Sequence, residues 1–374
     1  MSHMIRFHQF GNAEVLTCEE VPTPSPAAGE VLVAVEAIGV SWYDVLWRQN
    51  LAPEETHLPA GLGIEMAGRV LAVGDGVDDL APGMPVASFP AQTANRYPTY
   101  GDIVLMPRDS LTRYPLAGAE GVAHGLTPIE AAVHYAPLLT AYFALVNLGD
   151  VKPGRTVLTT EACLCFGPAS VQLGKALGAK VIASTKLRER REVLQSLGAD
   201  LVVVTDEQDL AQQVSKFTDG QGVDIVLDSC GGRQMAALGD VAAPRGKLIL
   251  YGLNGGNEAA FPAWTAFRKH LKFFQYSLLD FTGHAELGIP ANRPAVEQAL
   301  REINRLTEAG LLKPTIDRVF DFDEAVDAHR YLETQPGNGR VVISVPQNVA
   351  TAQSVAAADA MADKSLARAK GAAA

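Results

Sequence analysis

Cysteine and net positive charge are both scarce in this chain of 374 residues. The four cysteines, Cys18, Cys163, Cys165 and Cys230, form no C-x-x-C pair and are too few for a disulfide framework. Lys and Arg number 31 against 42 Asp and Glu, and the net charge of −11 disfavours nucleic acid or an anionic membrane as a partner. The sequence also lacks a run of about 18 apolar residues and an N-terminal signal pattern. We therefore expect a reduced, cytoplasmic protein.

The two ends of the chain contribute little to a fold prediction. Residues 1–4 (MSHM) resemble a cloning remnant before a native start at Met4. Residues 347–374 are rich in alanine and contain no aromatic residue, so we expect a flexible tail. The whole chain is 48% hydrophobic and 20% charged, which is typical of a globular protein, and its length suggests two or three domains.

Residues 4–115 have the pattern of a β-rich unit. Val31–Ile38 and Gly68–Val73 are rich in β-branched residues, and proline and glycine recur between such stretches. Many short strands with frequent turns are typical of a barrel-like or sandwich-like domain.

Residues 127–252 instead alternate between strand and helix patterns. Thr127–Glu130 is a capping box with proline at the first helical position, which predicts the start of a helix. Unbroken Val, Ile and Leu runs predict buried parallel strands at Thr156–Thr160, Lys180–Ser184, Leu201–Val204, Val223–Leu227 and Lys247–Leu250. After residue 265 the pattern is mixed. We expect an α/β protein in which a parallel-sheet domain, residues 127–264, is inserted into a β-rich domain, residues 4–126 and 265–346.

The turn after the first predicted parallel strand is where such a sheet binds phosphate. Residues 160–168 (TEACLCFGP) contain one glycine, Gly167, and one acid, Glu161, so the G-x-G-x-x-G dinucleotide motif is absent. Gly167 lies where close packing of helix on strand requires a small residue. A parallel-sheet loop that binds no dinucleotide remains an alternative interpretation of this turn.

The second predicted parallel strand is followed by cations rather than by an acid. NAD sites place Asp or Glu about 20 residues after the glycine loop. Here Lys186 follows the strand, and Arg190 and Arg191 come soon after. These side chains suit a 2′-phosphate, which favours NADPH. The alternative is a solvated first turn of a helix, although cations at a helix N-terminus oppose its dipole.

Seven segments, in collinear order over about residues 4–346, resemble the medium-chain dehydrogenase/reductase superfamily. The resemblance is greatest to its zinc-independent quinone oxidoreductase and enoyl reductase branch. The segments are Gly39–Asp44, Gly61–Val70, Val73–Val77, Leu139–Leu145, Lys152–Leu158, Val171–Ala179 and Gly222–Asp228. The resemblance implies a GroES-like catalytic domain, an inserted Rossmann domain with a doubly wound parallel sheet, and a homodimer or homotetramer, of which we expect the homodimer.

Zinc-dependent members of that superfamily resemble G-V-C-x-x-D and G-H-E at two of these segments, where Cys and His bind the catalytic metal. Here those positions hold Ser41 and Ile64, which supply neither thiolate nor imidazole. The four-cysteine lobe of a structural zinc is missing as well. We therefore expect no metal.

The resemblance also implies a set of cofactor contacts. Thr140 is expected near the nicotinamide, and Gly167 and its neighbours near the pyrophosphate. Lys186 with Arg190 and Arg191 is expected to face the 2′-phosphate, and Thr205 the adenine. The further expected contacts are Cys165, Phe166, Ser184, Thr185, Cys230, Gly252 and Leu253.

Hydride addition to an enone builds charge on oxygen and then requires a proton, which a tyrosine, a serine or water supplies. The candidate catalytic residues are Ser41, Tyr43 and Tyr100, whereas Asp44 has the character of a structural hydrogen-bond acceptor. A tyrosine that relatives carry nearby is replaced by Ala52. Candidate walls of an apolar or aromatic-lined pocket are Trp42, Trp47, Phe89 and Tyr97, although a packed core uses the same residues.

We therefore predict an NADPH-dependent, zinc-independent reductase of α,β-unsaturated carbonyls or quinones, acting on a small apolar or aromatic molecule. Two alternatives stay open because fold does not determine function. One is a zinc-free carbonyl or alcohol oxidoreductase. The other is a family member whose altered phosphate loop has lost redox function and that serves in binding or non-redox chemistry.

Overall fold

The structure is a computed structural model, and it describes residues 1–164, 166–256, 258–335 and 339–346. Two of the sequence predictions, the cofactor contact of Cys165 and the tail at 347–374, lie outside the described residues. Among the described residues, no helix combines the length and the apolar character needed to cross a bilayer.

The first part of the chain forms antiparallel strands and one short helix. The elements are β1 (Ser2–Phe7), β2 (Thr17–Val21), β3 (Glu30–Val40), α1 (Trp42–Arg48), β4 (Ala60–Gly61), β5 (Met66–Val73), β6 (Pro85–Ser88), β7 (Ile103–Pro107) and β8 (Leu111–Arg113). β3 is central because it pairs with both β5 and β7. β1 pairs with β2 from Ser2 onward, so the segment that resembles a cloning remnant takes part in the fold.

The middle of the chain alternates between helix and strand. The elements are α2 (Pro128–Ala131), α3 (Tyr135–Tyr142), β9 (Thr156–Thr159), α4 (Gly167–Ala176), β10 (Lys180–Thr185), α5 (Arg191–Ser196), β11 (Leu201–Val204), α6 (Leu210–Phe217), β12 (Val223–Asp228), α7 (Met235–Val241), β13 (Ala242–Leu250), α8 (Ala263–Lys269) and β14 (Lys272–Gln275). All six strands are parallel, in the order β11-β10-β9-β12-β13-β14. Their order reverses at β9, and ligands of such sheets bind in the crevice at that point.

The parallel strands form because their side chains are apolar on both faces. Val157, Leu227 and Ile249, at the centres of β9, β12 and β13, are fully buried. The Thr127 cap is present, with its hydroxyl accepting from the Glu130 amide at 3.3 Å, but α2 has only four residues. α8 spans residue 264, where the sequence places the domain boundary, and β14 extends the sheet beyond it.

The chain then returns to the first sheet. The remaining elements are α9 (Leu279–Thr282), α10 (Arg293–Glu308), β15 (Ile316–Asp321), α11 (Ala325–Thr334) and β16 (Arg340–Ser344). β16 pairs antiparallel with β3 and parallel with β15. This return confirms the predicted fold class, in which a parallel-sheet unit is inserted within a β-rich unit, and it leaves a cleft between the two.

Candidate active site

A cleft with a volume of about 680 Å³ lies between the β-rich unit and the carboxyl edge of the parallel sheet. One wall comes from the end of β3, the start of α1, and β16. The other wall comes from the turns that follow β9, β12 and β13. Residues of both walls include Ser41, Trp42, Tyr43, Leu164, Phe166, Ser229, Gly252, Leu253 and Arg340. The cleft is largely apolar, so it suits an apolar substrate beside a polar cofactor.

Ser41 caps α1 and lines the cleft. Its amide and its hydroxyl both donate to Oδ2 of Asp44, at 2.8 and 3.0 Å. Asp44 is fully buried behind Ser41, and burial raises the pKa of its carboxyl to about 7. Asp44 thus has the structural role expected from the sequence. Its carboxyl is also an acid with a pKa near neutrality, and the Ser41 hydroxyl connects it to the cleft.

Tyr100 lies in the core of the β-rich unit and does not line the cleft. Its hydroxyl donates to Asp44 Oδ2 at 3.3 Å and lies 3.2 Å from Nε2 of His329. The Nδ1 of His329 accepts from Nε of Arg48 at 3.3 Å. Tyr100 therefore reaches the cleft through hydrogen-bond partners rather than directly, and Asp44 is the partner that bonds to the cleft residue Ser41.

Tyr43 lines the cleft and belongs to a second polar cluster. Its hydroxyl donates to Glu54, and burial is the main cause that raises the pKa of Tyr43. His284 Nε2 lies 3.2 Å from Oε2 of Glu54, while Nδ1 accepts from the Leu287 amide, so Nε2 carries the proton. Glu54 accepts further hydrogen bonds from Thr93 and Asn95. The sequence gives no signal for this cluster, because 230 residues separate Glu54 from His284.

The four predicted pocket-wall residues lie in different places. Trp42 lines the cleft. Trp47 is buried in the β-rich core, where its indole donates to the Gly61 carbonyl at 3.0 Å. Phe89 is buried outside the cleft lining, and Tyr97 donates to Glu30 at 2.8 Å, also outside it. The structure thus brings only Trp42 of this set to the cleft.

The turn after β9 is tight and carries bulky side chains. A Cβ on Gly167 would lie 2.5 Å from the Ala162 carbonyl oxygen, so the start of α4 requires glycine there. Leu164 and Phe166, in the turn where a dinucleotide motif would have glycines, line the cleft. The guanidinium of Arg340 lies 5.5 Å from the Phe166 ring centroid.

Arg340 is a cation at this turn that the sequence does not predict. One of its terminal nitrogens bonds to Glu65 at 2.7 Å. Its Nε is buried and has no hydrogen-bond partner within the described part of the chain. It comes from β16, far along the sequence from the turn that it approaches. This position places a cation with an unused donor beside the N-terminus of α4, a favourable place for an anion.

The residues expected to bind the 2′-phosphate, which follow β10, differ in exposure and in the hydrogen bonds of their side chains. The Lys186 side chain is exposed, and the Nε of Arg190 is buried without a hydrogen-bond partner among the described residues. Arg191 instead donates to the Val202 carbonyl at 3.3 Å and to Gln208 at 3.4 Å. Ser184, Thr185 and Thr205 also lie at this strand end, with the Thr205 hydroxyl donating to the Thr185 carbonyl. Two of the three predicted cations therefore have donors available for a ligand.

The turns after β12 and β13 also lie at the carboxyl ends of the parallel strands, on the opposite side of β9 from β10. A Cβ on Gly252 would lie 2.5 Å from the Ser229 carbonyl oxygen, so the two turns meet closely. Cys230 is buried behind them, and burial raises the pKa of its thiol to about 11. Thr140 is buried in α3, donates to the Ala136 carbonyl at 2.9 Å and does not line the cleft. In the ranges that the structure describes, no three His, Cys, Asp or Glu side chains form a group suited to a metal.

His134 is a cleft residue that the sequence analysis does not single out. Burial lowers the pKa of its imidazole to about 3, and its Nε2 lies 2.8 Å from the Thr307 hydroxyl. It stays neutral at physiological pH and is therefore a poor acid.

Comparisons with known proteins agree with this architecture. A model of the alcohol dehydrogenase GroES-like domain matches residues 27–121, and a model of zinc-binding dehydrogenases matches residues 197–343. Quinone oxidoreductase 1 of Escherichia coli is 28% identical over 341 residues, which are 91% of this chain and 98% of that protein. A phenolphthiocerol/phthiocerol polyketide synthase protein of Mycobacterium tuberculosis is 28% identical over 92% of this chain, which spans only 15% of that protein.

Solved structures show the same similarity. An NAD-dependent alcohol dehydrogenase has a TM-score of 0.80 at 27% identity, covering 92% of this chain and 100% of that one. Escherichia coli quinone oxidoreductase complexed with NADPH has a TM-score of 0.77 at 26% identity, covering 91% and 99%. A 2-haloacrylate reductase has a TM-score of 0.78 at 26% identity, covering 93% and 100%. The two domain matches and these full-length similarities show that the chain belongs to the medium-chain dehydrogenase/reductase superfamily, in its quinone oxidoreductase-like branch.

Proposed function

We propose that the protein is an NADPH-dependent reductase of α,β-unsaturated carbonyls or quinones that acts without zinc. The observation that carries the proposal is the apolar cleft whose two walls are a dinucleotide-type sheet edge and a pair of hydroxyls, Ser41 and Tyr43. Ser41 and Ile64 stand where zinc-dependent relatives have metal ligands. The similarity to a quinone oxidoreductase and to a 2-haloacrylate reductase supports reduction of an activated C=C bond or a quinone.

The residues at the sheet edge fit a dinucleotide in several respects. Arg190 and Arg340 each have a buried Nε without a hydrogen-bond partner among the described residues, and each is therefore a candidate to bind a phosphate of NADPH. Gly252 lines the cleft and allows the turns after β12 and β13 to approach each other closely. We propose that Lys186 and Arg190 bind the 2′-phosphate, Arg340 and the start of α4 the pyrophosphate, and Gly252 the nicotinamide end.

A dinucleotide held by these residues would supply a hydride, with its two electrons, to the β-carbon of the substrate. The C=C electrons then move towards the carbonyl, and the resulting enolate takes a proton from Ser41 Oγ. Below its pKa of about 7, Asp44 is protonated and can donate to Ser41 Oγ, which reverses the 3.0 Å hydrogen bond between them and returns a proton to Ser41. Tyr43, held by Glu54, helps to position the substrate, and the apolar walls exclude water.

Binding and turnover of the full chain test this proposal. We expect NADPH at about 100 times its Kd to stabilise the protein by roughly 2.7 kcal/mol in thermal unfolding, and NADH to do so less. NADPH oxidation with an enone, but not with the matching saturated ketone, would support enone reduction over carbonyl reduction. A Lys186→Ala, Arg190→Ala variant should weaken NADPH binding more than NADH binding. Absence of a thermal shift with either dinucleotide would overturn the proposal in favour of a non-redox role.

We also propose that two copies of the chain pair along β14. β14 is an edge strand of the parallel sheet, and Phe261, Trp264, Phe267 and Phe273 are exposed beside it, with Trp264 80% and Phe267 83% accessible. An exposed apolar patch at an open sheet edge is a typical interaction surface. Light scattering should give a dimer that dissociates in Trp264→Ser, Phe267→Ser but not in Leu311→Ser, an exposed apolar control. A monomer in the unmodified protein would refute the pairing.

A further inference from the structure

Glu161 is an acid in an unusual backbone conformation, at the carboxyl ends of the parallel strands where we propose that the cofactor binds. It is the second residue after β9, and its φ of +40° lies in the left-handed region that favours glycine. Its Oε2 accepts from the backbone amide of Lys186 at 3.4 Å. Lys186 is the first residue after β10. The turn after β9 therefore delivers a carboxylate to the end of the neighbouring strand.

The end of this second strand is where a sheet of this type distinguishes NADH from NADPH. A carboxylate there accepts hydrogen bonds from the ribose hydroxyls, whereas cations bind the 2′-phosphate. The first acid after β10 is Glu189, and the residues directly at the end of the strand, Lys186–Arg188, include none. The fold nevertheless supplies one from 25 residues earlier in the chain than Lys186. Acid and cations thus share one site.

The charges around Glu161 are of both signs. The ionised form is favoured by Lys186, whose amide bonds to the carboxylate, and is disfavoured by Asp206 and Asp228. Burial is the largest influence and raises the pKa of Glu161. Glu161 and Arg190 both influence the pKa of the buried Cys163 thiol, which Glu161 raises and Arg190 lowers. A 2′-phosphate bound at Lys186 would therefore lie beside the Glu161 carboxylate, which accepts a hydrogen bond from the amide of that residue.

We propose that Glu161 is a specificity-determining residue that opposes the 2′-phosphate and so sets the preference between NADPH and NADH. This inference rests on the proposed function, since it requires a dinucleotide at the sheet edge. Lys186 and Arg190 attract the 2′-phosphate, and the negative charge of Glu161 makes the binding free energy of that phosphate less favourable. The carboxylate also offers acceptors to the two hydroxyls of an unphosphorylated ribose. The protein consequently discriminates between the two cofactors less than its cations alone would allow.

The test uses Glu161→Gln in the full chain, because glutamine keeps an acceptor for the Lys186 amide and removes the charge. The probes are adenosine 2′,5′-bisphosphate and adenosine 5′-monophosphate, which differ only in the 2′-phosphate, and calorimetry gives their Kd without any turnover. We expect the affinity for the bisphosphate to rise about tenfold, equivalent to about 1.4 kcal/mol, and that for the monophosphate to change less than about threefold.

Two further variants make the test specific. Asp206→Asn removes the charge of an exposed acid that also influences Glu161, and it should change the ratio of the two affinities less than about threefold. Glu161→Gly removes the charge and also relieves the positive φ, so it should reproduce the Glu161→Gln result. An unchanged ratio in both Glu161 variants would refute the inference while leaving the proposed function intact. If neither probe nor NADPH binds to any of the proteins, the proposed function fails together with the inference.

Discussion

Ser41 and Tyr43 line the same wall of the cleft, and the hydroxyl of each donates a hydrogen bond to a carboxyl group outside the lining. The two carboxylates differ in their surroundings. Glu54 receives hydrogen bonds from Tyr43, Thr93 and Asn95 and also contacts His284. Within the described part of the chain, the Asp44 carboxyl accepts from Ser41 and Tyr100 alone, and its Oδ1 is buried without a hydrogen-bond partner.

The difference shows how neighbouring hydroxyls acquire separate roles. A carboxylate with several donors holds its tyrosine in one orientation. A buried carboxylate with few donors and no cationic partner among the described residues favours its protonated form, which is why the pKa of Asp44 rises to about 7. Ser41 therefore has a proton source behind it, whereas Tyr43 has an acceptor.

The roles of the Ser41 and Tyr43 hydroxyls should differ most in their effect on turnover. We expect Ser41→Ala to lower kcat for an enone about 100-fold, since a positioned general acid contributes roughly that factor or more. Tyr43→Phe should lower kcat less than about tenfold and raise KM, because it removes a positioning group. Stopped-flow and steady-state kinetics measure both quantities.

Cofactor binding provides the control for this pair of variants. Neither side chain lies at the sheet edge, so the Kd for NADPH should be unchanged in both variants, as measured by calorimetry. A greater loss of kcat in Tyr43→Phe than in Ser41→Ala would reverse the assignment and make Tyr43 the proton donor.

The pH dependence of turnover should distinguish proton donation through Ser41 from substrate positioning by Tyr43. Asp44 supplies a proton only in its protonated form, and its carboxyl ionises as the pH rises through about 7. Activity is therefore expected to be high below pH 7 and to fall up to about tenfold per pH unit above it, where proton transfer limits the rate. Tyr43→Phe should retain this alkaline limb, and Ser41→Ala should lose it. A flat profile from about pH 6 to 9 in the unmodified protein would contradict the role of Asp44.

Much of the fold follows from the sequence, because each parallel strand is marked by its own local run of apolar residues. The predicted strand Leu201–Val204 has the observed bounds, and Thr156–Thr160 is one residue too long. The cleft depends instead on long-range contacts. The approach of Arg340 to Phe166 and of His284 to Glu54 has no local pattern, and nothing near Tyr100 in the sequence distinguishes its burial from the exposure of Tyr43 to the cleft.

Removal of the Tyr100 hydroxyl should have the smallest effect, because it changes only the pKa of Asp44. Its hydroxyl bond to Asp44 holds the pKa of that carboxyl lower than burial alone would set it. Tyr100→Phe removes this bond, so the alkaline limb of kcat should move to higher pH. The shift should be less than about one unit, since a hydrogen bond contributes about 1 kcal/mol and one pKa unit corresponds to about 1.4 kcal/mol. Turnover on the acid side of the limb should stay close to that of the unmodified protein, because Tyr100 does not line the cleft. A large loss of kcat at every pH with normal thermal stability would instead mean that Tyr100 acts directly on the substrate.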